Sequence, residues 1–445
     1  VHLTLLPYLQ SPLELKTNSK KFPPSHLWRM VMLQTENQTL PPIQKVKRPI
    51  ALIILIFVAF IALGMPDGLL GVGWPSIRAG FNVPLDSLGA LLFTSMAGYL
   101  ISSFSSGILM RRWGVGRLLI YSCLLTGAGL VGYTLVPSWW MMVLLGILAG
   151  LGAGAIDAGL NAYVANHFGP GLMQWLHASY GVGITTGPLL MTFALANYQN
   201  WKLAYLVVGG FQIVLMVSFR LSLRLWQQPP SAADVENPTP PTPSARLEET
   251  LRQPRVWGSM ALFFFYVGAE VTFGTWVYSL LTAARGVRPQ LAGYFTSSFW
   301  FMFTIGRILA GLLTRRLNIQ KIVAGCIIAA LSGAVLLLLN LGLVPNLVAV
   351  GVIGFAFAPV FPGMMSATTD RVGARHADST VGMQAAAGAL GGTGLTRLVG
   401  VLARAFRLEV VPVVRIVFLV CLLGGYLIFK AYIEKRQLFG RAEQI

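Results

Sequence analysis

Gly107-Ile-Leu-Met-Arg-Arg-Trp-Gly-Val-Gly-Arg117 and Gly311-Leu-Leu-Thr-Arg-Arg-Leu-Asn-Ile-Gln-Lys321 follow one pattern. Each has a glycine, a leucine two positions on, an arginine pair and a later base, at a constant offset of 204 residues. Basic pairs at the inner ends of membrane spans arise often by themselves. The shared glycine, leucine and spacing favour a duplication. Working outward, apolar runs cover 50–74, 88–110, 117–136, 139–165, 172–197 and 201–221. After a gap come 256–284, 289–313, 321–340, 346–366, 379–402 and 410–431. Each suffices for the roughly 20 residues that cross a hydrocarbon core. Lipid offers backbone groups no partners, so such runs are helices. The predicted fold is an all-α polytopic membrane protein with twelve transmembrane helices in two pseudo-symmetric six-helix halves. The two halves are parallel repeats about an axis along the membrane normal.

Composition agrees. Hydrophobic residues make up 55% of the 445 and charged residues 11%, against about 25% charged in soluble domains. An ordinary soluble enzyme, a disordered chain and a fibrous one are excluded. The 33 Lys and Arg exceed the 15 Asp and Glu by 18. In a soluble protein that excess suggests nucleic acid. With the N-terminus inside, however, twenty of the bases fall on the inner face beside the spans. They begin with Lys45, Lys47 and Arg48 and end with Lys430, Lys435, Arg436 and Arg441. Six fall outside: Arg78, Lys202, Arg285, Arg288, Arg404 and Arg407. This asymmetry predicts cytoplasmic termini and removes the case for nucleic acid.

The expected organisation is a cytoplasmic tail over 1–49, a first half over 50–225, a Pro-rich cytoplasmic linker over 226–255, a second half over 256–432, and a cytoplasmic tail over 433–445. Met30 and Met32 offer internal starts, on which reading residues 1–29 are not translated. Pro229, Pro230, Pro238, Pro240, Pro241 and Pro243 make the linker extended. Cys123, Cys326 and Cys421 lie inside spans and are expected to pack rather than to form disulfides.

The segment from Gly107 resembles the loop 2–3 signature of the major facilitator superfamily, G-x-L-x-D-R-x-G-R-[RK]. The resemblance covers about 50–432. It implies a cytoplasmic gate at Gly107, Arg111, Arg112, Gly114 and Arg117, repeated at Gly311, Arg315 and Arg316. Arg111 stands where the family has Asp, and Val115 and Gly116 replace bases. The family's charge lock at that Asp is therefore absent here or built differently.

Carboxylates are costly in hydrocarbon, so those in spans are functional candidates. Asp67, Asp157 and Glu270 are three. Asp67 and Glu270 differ by 203, one short of the repeat offset, which makes them near mates on the first helix of each half. Pro66 and Gly68 around Asp67 predict a broken or kinked helix. The alternative is a helix end with Asp67 at the outer surface. Asp157 and Asn161 share a helix face, and Asp157 is about nine residues or ~14 Å from the inner end of its span. Glycines 150, 152, 154 and 159 allow close neighbours. For Asp157 the alternative is a structural bond between helices.

An Asp in the first helix, with Asp157, Asn161, Tyr163 and Val164 in the fourth, resembles the fucose:proton symporter family of sugar permeases. Trp175-Leu-His-Ala-Ser-Tyr-Gly-Val-Gly-Ile-Thr-Thr-Gly-Pro-Leu-Leu190 is similar to that family's fifth helix, and Ala358–Gly363 to its tenth. Arg397 after Gly391-Gly-Thr-Gly394 departs from its eleventh. The resemblance implies that Asp157 and Asn161 bind sugar hydroxyls and that Asp67 takes part in proton transfer. Sugars also call for aromatic faces and amides. Glu270, Trp276, Trp300 and Gln384 complete the expected substrate site, with Asp67, Asp157 and Glu270 as proton-coupling groups. Membrane aromatics also serve as interfacial belts, the reading given to Trp139 and Trp140. His177 and Arg307 are a candidate relay and a candidate ion-pair partner of Glu270. A structural histidine and a snorkelling arginine are the alternatives.

No P-loop, nucleophile elbow or metal-ligand cluster is evident in the sequence, so no enzyme and no ATP-driven pump is expected. The expected activity is proton-coupled secondary transport of a small polar solute, a hexose or deoxyhexose. Sodium is the alternative coupling ion, and no cofactor or metal is expected. An efflux antiporter for amphiphiles and a non-transporting membrane sensor or scaffold are the rival functions. The expected partners are a small-molecule substrate and the lipid bilayer, and the chain is expected to act as a monomer. The expected place is the plasma membrane, or the inner membrane of a bacterium.

Overall fold

The computed structural model describes residues 50–168, 170–226, 247–313 and 319–442. Twelve long helices carry the fold. The first six are α1 (Ile50–Phe81), α2 (Leu88–Trp113), α3 (Val115–Leu135), α4 (Trp139–His167), α5 (Pro170–Tyr198) and α6 (Trp201–Leu221). The second six are α7 (Pro254–Ser279), α8 (Pro289–Leu313), α9 (Ile319–Leu339), α10 (Leu343–Phe357, resumed over Val360–Ser366), α11 (Ala374–Ala405) and α12 (Val410–Ala442). Ten of the described helical segments are long and apolar enough to cross a membrane. This is an all-α polytopic membrane protein.

Several helices overshoot their apolar windows. α1 reaches Phe81 rather than 74, and α12 runs to Ala442, into the expected 433–445 tail. Backbone hydrogen bonding continues past the hydrocarbon edge until a breaker stops it. Of the broken or kinked helix expected at Pro66, the break does not occur, and α1 continues through both Pro66 and Pro75. Proline cannot donate to the carbonyl four residues back, so Pro66 frees Ala62. Buried Gln212 of α6 takes up that carbonyl through Nε2 at 3.0 Å. The tenth span, expected as one piece, is instead interrupted at Ala358-Pro359, where Pro359 withholds a helical donor. The expected linker is not extended throughout. It ends in a short helix, Leu247–Leu251, with Glu248 and Glu249 in its first turn, where acids suit the helix dipole. Glu249 pairs with Arg375 at 2.9 Å. Residues 1–49, 227–246 and 443–445, which hold the rest of the tails and linker, lie outside the described residues.

The halves repeat one packing scheme. α1 packs on α5, α2 on α4 and α3 on α6, as α7 packs on α11, α8 on α10 and α9 on α12. The repeat offset reappears in three dimensions. A Cβ on Gly150 would fall on the Ser95 carbonyl, and one on Gly354 would fall on the Phe299 carbonyl. Both residues of the second pair stand 204 positions after those of the first. Helices this close leave no room for a side chain.

Between halves, α1 meets α7, α2 meets α11, and α5 meets α8. Among the described residues, three side-chain hydrogen bonds cross. Ser297 Oγ donates to the Thr185 carbonyl at 2.8 Å, Thr393 Oγ1 to Met96 Sδ at 3.1 Å, and Arg404 Nη1 to Asp86 Oδ1 at 3.0 Å. All lie at or beyond the middle of their helices, away from the face where α1 begins. That face, with its α2–α3 and α10–α11 turns, is here termed the tail face. The halves meet at the opposite, distal face.

Candidate functional site

Asp67 sits mid-way along α1, with the helix continuing beyond it, so it is not at a helix end. It is exposed although it lies within the bundle, which places it on the opening between the halves. Tyr180 of α5 donates its hydroxyl to Asp67 Oδ2 at 2.6 Å. Asp157 is half-buried on α4. Its Oδ2 accepts from the Tyr99 hydroxyl of α2, and its Oδ1 accepts from Asn161 Nδ2 at 2.8 Å. The two carboxylates feel each other's charge. Neither makes an ion pair with a described cation. Both are held by uncharged donors.

The second half contributes a different electrostatic arrangement. Glu270 of α7 lies within electrostatic range of Arg307 on α8 and Arg415 on α12, without a direct ion pair. The Arg307 guanidinium lies 4.4 Å from the Phe303 ring centre, and its Nε is buried without a partner. His177 of α5 stands edge-on to Phe60, ring centres 6.0 Å apart, within electrostatic range of Arg307. The two residues thus come near each other across the halves.

Trp276, Trp300 and Gln384 do not join these groups. Trp276 is 1% exposed, and its indole N–H donates to the Thr396 carbonyl at 3.0 Å. Trp300 is buried against Phe299, with ring centres 4.6 Å apart. Gln384 is fully buried, donates to Ser259 Oγ at 2.6 Å and accepts from Thr368 Oγ1 at 3.1 Å. Arg371 donates to the same serine at 3.1 Å. In this conformation all three expected contacts are enclosed. Trp139, read as a belt residue, is buried too, 5.5 Å from Trp74 between ring centres, whereas Trp140 is 67% exposed.

At the tail face, a Cβ on Gly107 would meet nothing within 4 Å, and Gly114 forms the turn between α2 and α3 at φ +78°, a conformation that suits glycine. Arg111, Arg112 and Arg117 are exposed and make no described ion pair. Gly311 lies near the end of α8, while Arg315 and Arg316 fall outside the described residues.

Three residues with no assigned role in the sequence reading belong to this region. Tyr99 and Tyr180 hold the carboxylates. A sequence signal exists for Tyr99, since Ser95, Tyr99, Ser102, Ser103 and Ser106 form a polar stripe at helical spacing. Arg415 carries the plainest signal, a charge inside an apolar span.

Solved structures with this architecture include a bacterial homologue of the lysosomal transporter Spinster in an inward-facing state. It has TM-score 0.70 and 14% identity, covering 86% of this chain and 96% of that one. The Escherichia coli fucose:proton symporter aligns at TM-score 0.58 and 16% identity, covering 85% of this chain and 98% of that one. In sequence, a glucose/mannose transporter of Bacillus subtilis is 22% identical over 73% of this chain and 81% of its own length. Bypass of stop codon protein 6 of Saccharomyces cerevisiae is 25% identical over 81% and 78%. The resemblance to sugar permeases thus extends over most of the fold. Residues 52–396 match the Major Facilitator Superfamily, and the chain belongs to that superfamily of membrane transporters.

Proposed function

We propose that this chain is a secondary active permease that moves a hexose or deoxyhexose by alternating access, coupled to protons. The observation that carries the reading is the pair Asp67 and Asp157, intramembrane carboxylates on two helices of one half, held only by phenols and an amide. A carboxylate without a fixed cation can exchange a proton without breaking an ion pair. Asp157 and Asn161 together offer the acceptors and donors that sugar hydroxyls require. Glu270 and Arg307 complete the polar lining from the other half. Trp276, Trp300 and Gln384 reach the solute only after the helices around them repack. The sugar class is further supported by the glucose/mannose relative and the fucose symporter fold. The Lys/Arg asymmetry supports a cytoplasmic tail face in the plasma membrane. Solute and proton binding together favour closure, because the closed state holds both more tightly. The chain acts as a monomer.

Labelled hexoses and deoxyhexoses, offered to proteoliposomes under an imposed inward proton gradient, test this. Uptake should follow the gradient and vanish in Asp67→Asn and Asp157→Asn. Absence of pH-dependent uptake across the panel rejects the reading. Uptake driven by a sodium gradient alone moves the coupling to sodium. Uptake intact in both variants rejects the site.

A further inference from the structure

Arg415 is an intramembrane cation enclosed on every side, 2% exposed. The rings of Phe273 and Phe357 lie 4.0 and 4.6 Å from its guanidinium. Nη1 donates to the Ala269 carbonyl at 2.9 Å, while Nε and Nη2 are buried without a partner. Ring faces and one carbonyl soften such a charge but do not neutralise it. A buried guanidinium keeps its proton and needs an anion.

The described acids leave one candidate. Asp67 and Asp157 belong to the other half and are held by phenols. Glu409, in the turn before α12, is taken by Arg285 at 2.8 Å. Glu270 directly follows Ala269, whose carbonyl Arg415 holds, and lies on the helix that carries Phe273. Glu270 makes no direct ion pair with either nearby base, and both act on it through space. Arg307 is half-buried at the interface beside His177, whereas enclosed Arg415 has Glu270 as the acid in its electrostatic range.

We propose that Arg415 is the fixed counter-ion of Glu270, a positioning residue that balances the carboxylate from within the second half and leaves Arg307 to face the solute. Glu270 and Arg415 then sum to zero, and Arg307 remains as the uncompensated cation. Its donors suit an oxygen-rich solute, hydroxyl or carboxylate oxygens alike. Only this last step rests on the transport reading.

A charge-neutralisation cycle tests the pair on purified full-length protein in detergent, by thermal unfolding. Arg415→Leu should lower the midpoint by roughly 5 °C, because it strands a buried carboxylate. Adding Glu270→Gln should restore at least half of that loss, which a mere packing defect would not allow. If R415L yields no folded protein, recovery of folded yield in E270Q/R415L is the same readout. Arg307→Leu should show no comparable rescue by E270Q. A double variant as unstable as R415L alone overturns the proposal, as does rescue of R307L in place of R415L. Uptake of labelled D-glucose in R307L should show a half-saturating concentration raised at least tenfold, with an unchanged value sinking the solute-facing role of Arg307. If wild type moves no sugar, the transport reading fails, while the stability cycle still decides the counter-ion.

Discussion

Gln212 of α6 donates its side-chain amide, at 3.0 Å, to the carbonyl of Ala62. That carbonyl is the acceptor that Pro66 leaves open in α1. The bond lets the helix run through its proline and hold Asp67 at its middle. Gln212→Leu should destabilise the fold by about 1–3 kcal/mol, the cost of a stranded buried acceptor. Pro66→Ala restores the helical donor, so the double variant should regain most of the loss. Thermal unfolding measures both, and no recovery would separate the two residues.

Tyr99 and Tyr180 donate to the two carboxylates of the first half. Tyr99→Phe and Tyr180→Phe keep the rings and remove one hydrogen bond each. Proton-driven uptake should fall about 5- to 15-fold per variant, from a bond of about 1–1.5 kcal/mol. Initial-rate uptake of a transported hexose checks this, and wild-type rates in both would show the phenols to be bystanders.

Asp86 and Arg404 bridge the halves at the distal face at 3.0 Å, partly exposed. A pair of this kind contributes at most about 1 kcal/mol. Asp86→Asn should therefore shift the population away from the distally closed conformation by no more than about fivefold, and high salt should mimic it. Spin-label distances between positions 112 and 375 on the tail face read the shift. An unchanged distribution would mean that apolar contacts alone close that face.

Two glycines should respond oppositely to alanine. A Cβ on Gly183 of α5 would fall on the Ile61 carbonyl of α1, whereas one on Gly107 meets nothing within 4 Å. Gly183→Ala should abolish folded expression. Gly107→Ala should be stable, even gaining up to about 1 kcal/mol of helix propensity. Loss of uptake in a stable G107A protein would then expose a gating role that packing does not explain.

The repeat was legible because close packing demands glycine and the membrane demands basic ends. The paired arginines after Gly107 and Gly311 record the second need, and Gly150 with Gly354 record the first. Helix ends were less legible, since apolarity marks hydrocarbon rather than hydrogen bonding, and α12 outlasts its apolar window. Asp67, Asp157 and Glu270 stood out because charge in a span is rare. Arg415 sent the same signal, yet a search directed at carboxylates passes over it. Tyr99 and Tyr180 were hidden because their partners lie 58 and 113 residues away, and a phenol in a span is ordinary. Trp276 and Trp300 show the reverse failure, since apolar sequence does not tell an aromatic in a core from one on a cavity wall.

Gly64, Gly183 and Gly187 press α1 and α5 together along the stretch that holds Asp67 and Tyr180. The acid and its phenol therefore travel as one rigid passenger whenever one half swings against the other. Their bond is constant through such a stroke. What varies is the electric field around it, because Glu270, Arg307 and Arg415 ride on the other half. On the proposed reading, a proton carried at Asp67 is thereby timed by the approach and retreat of distant charges rather than by any bond that the carboxylate itself must break.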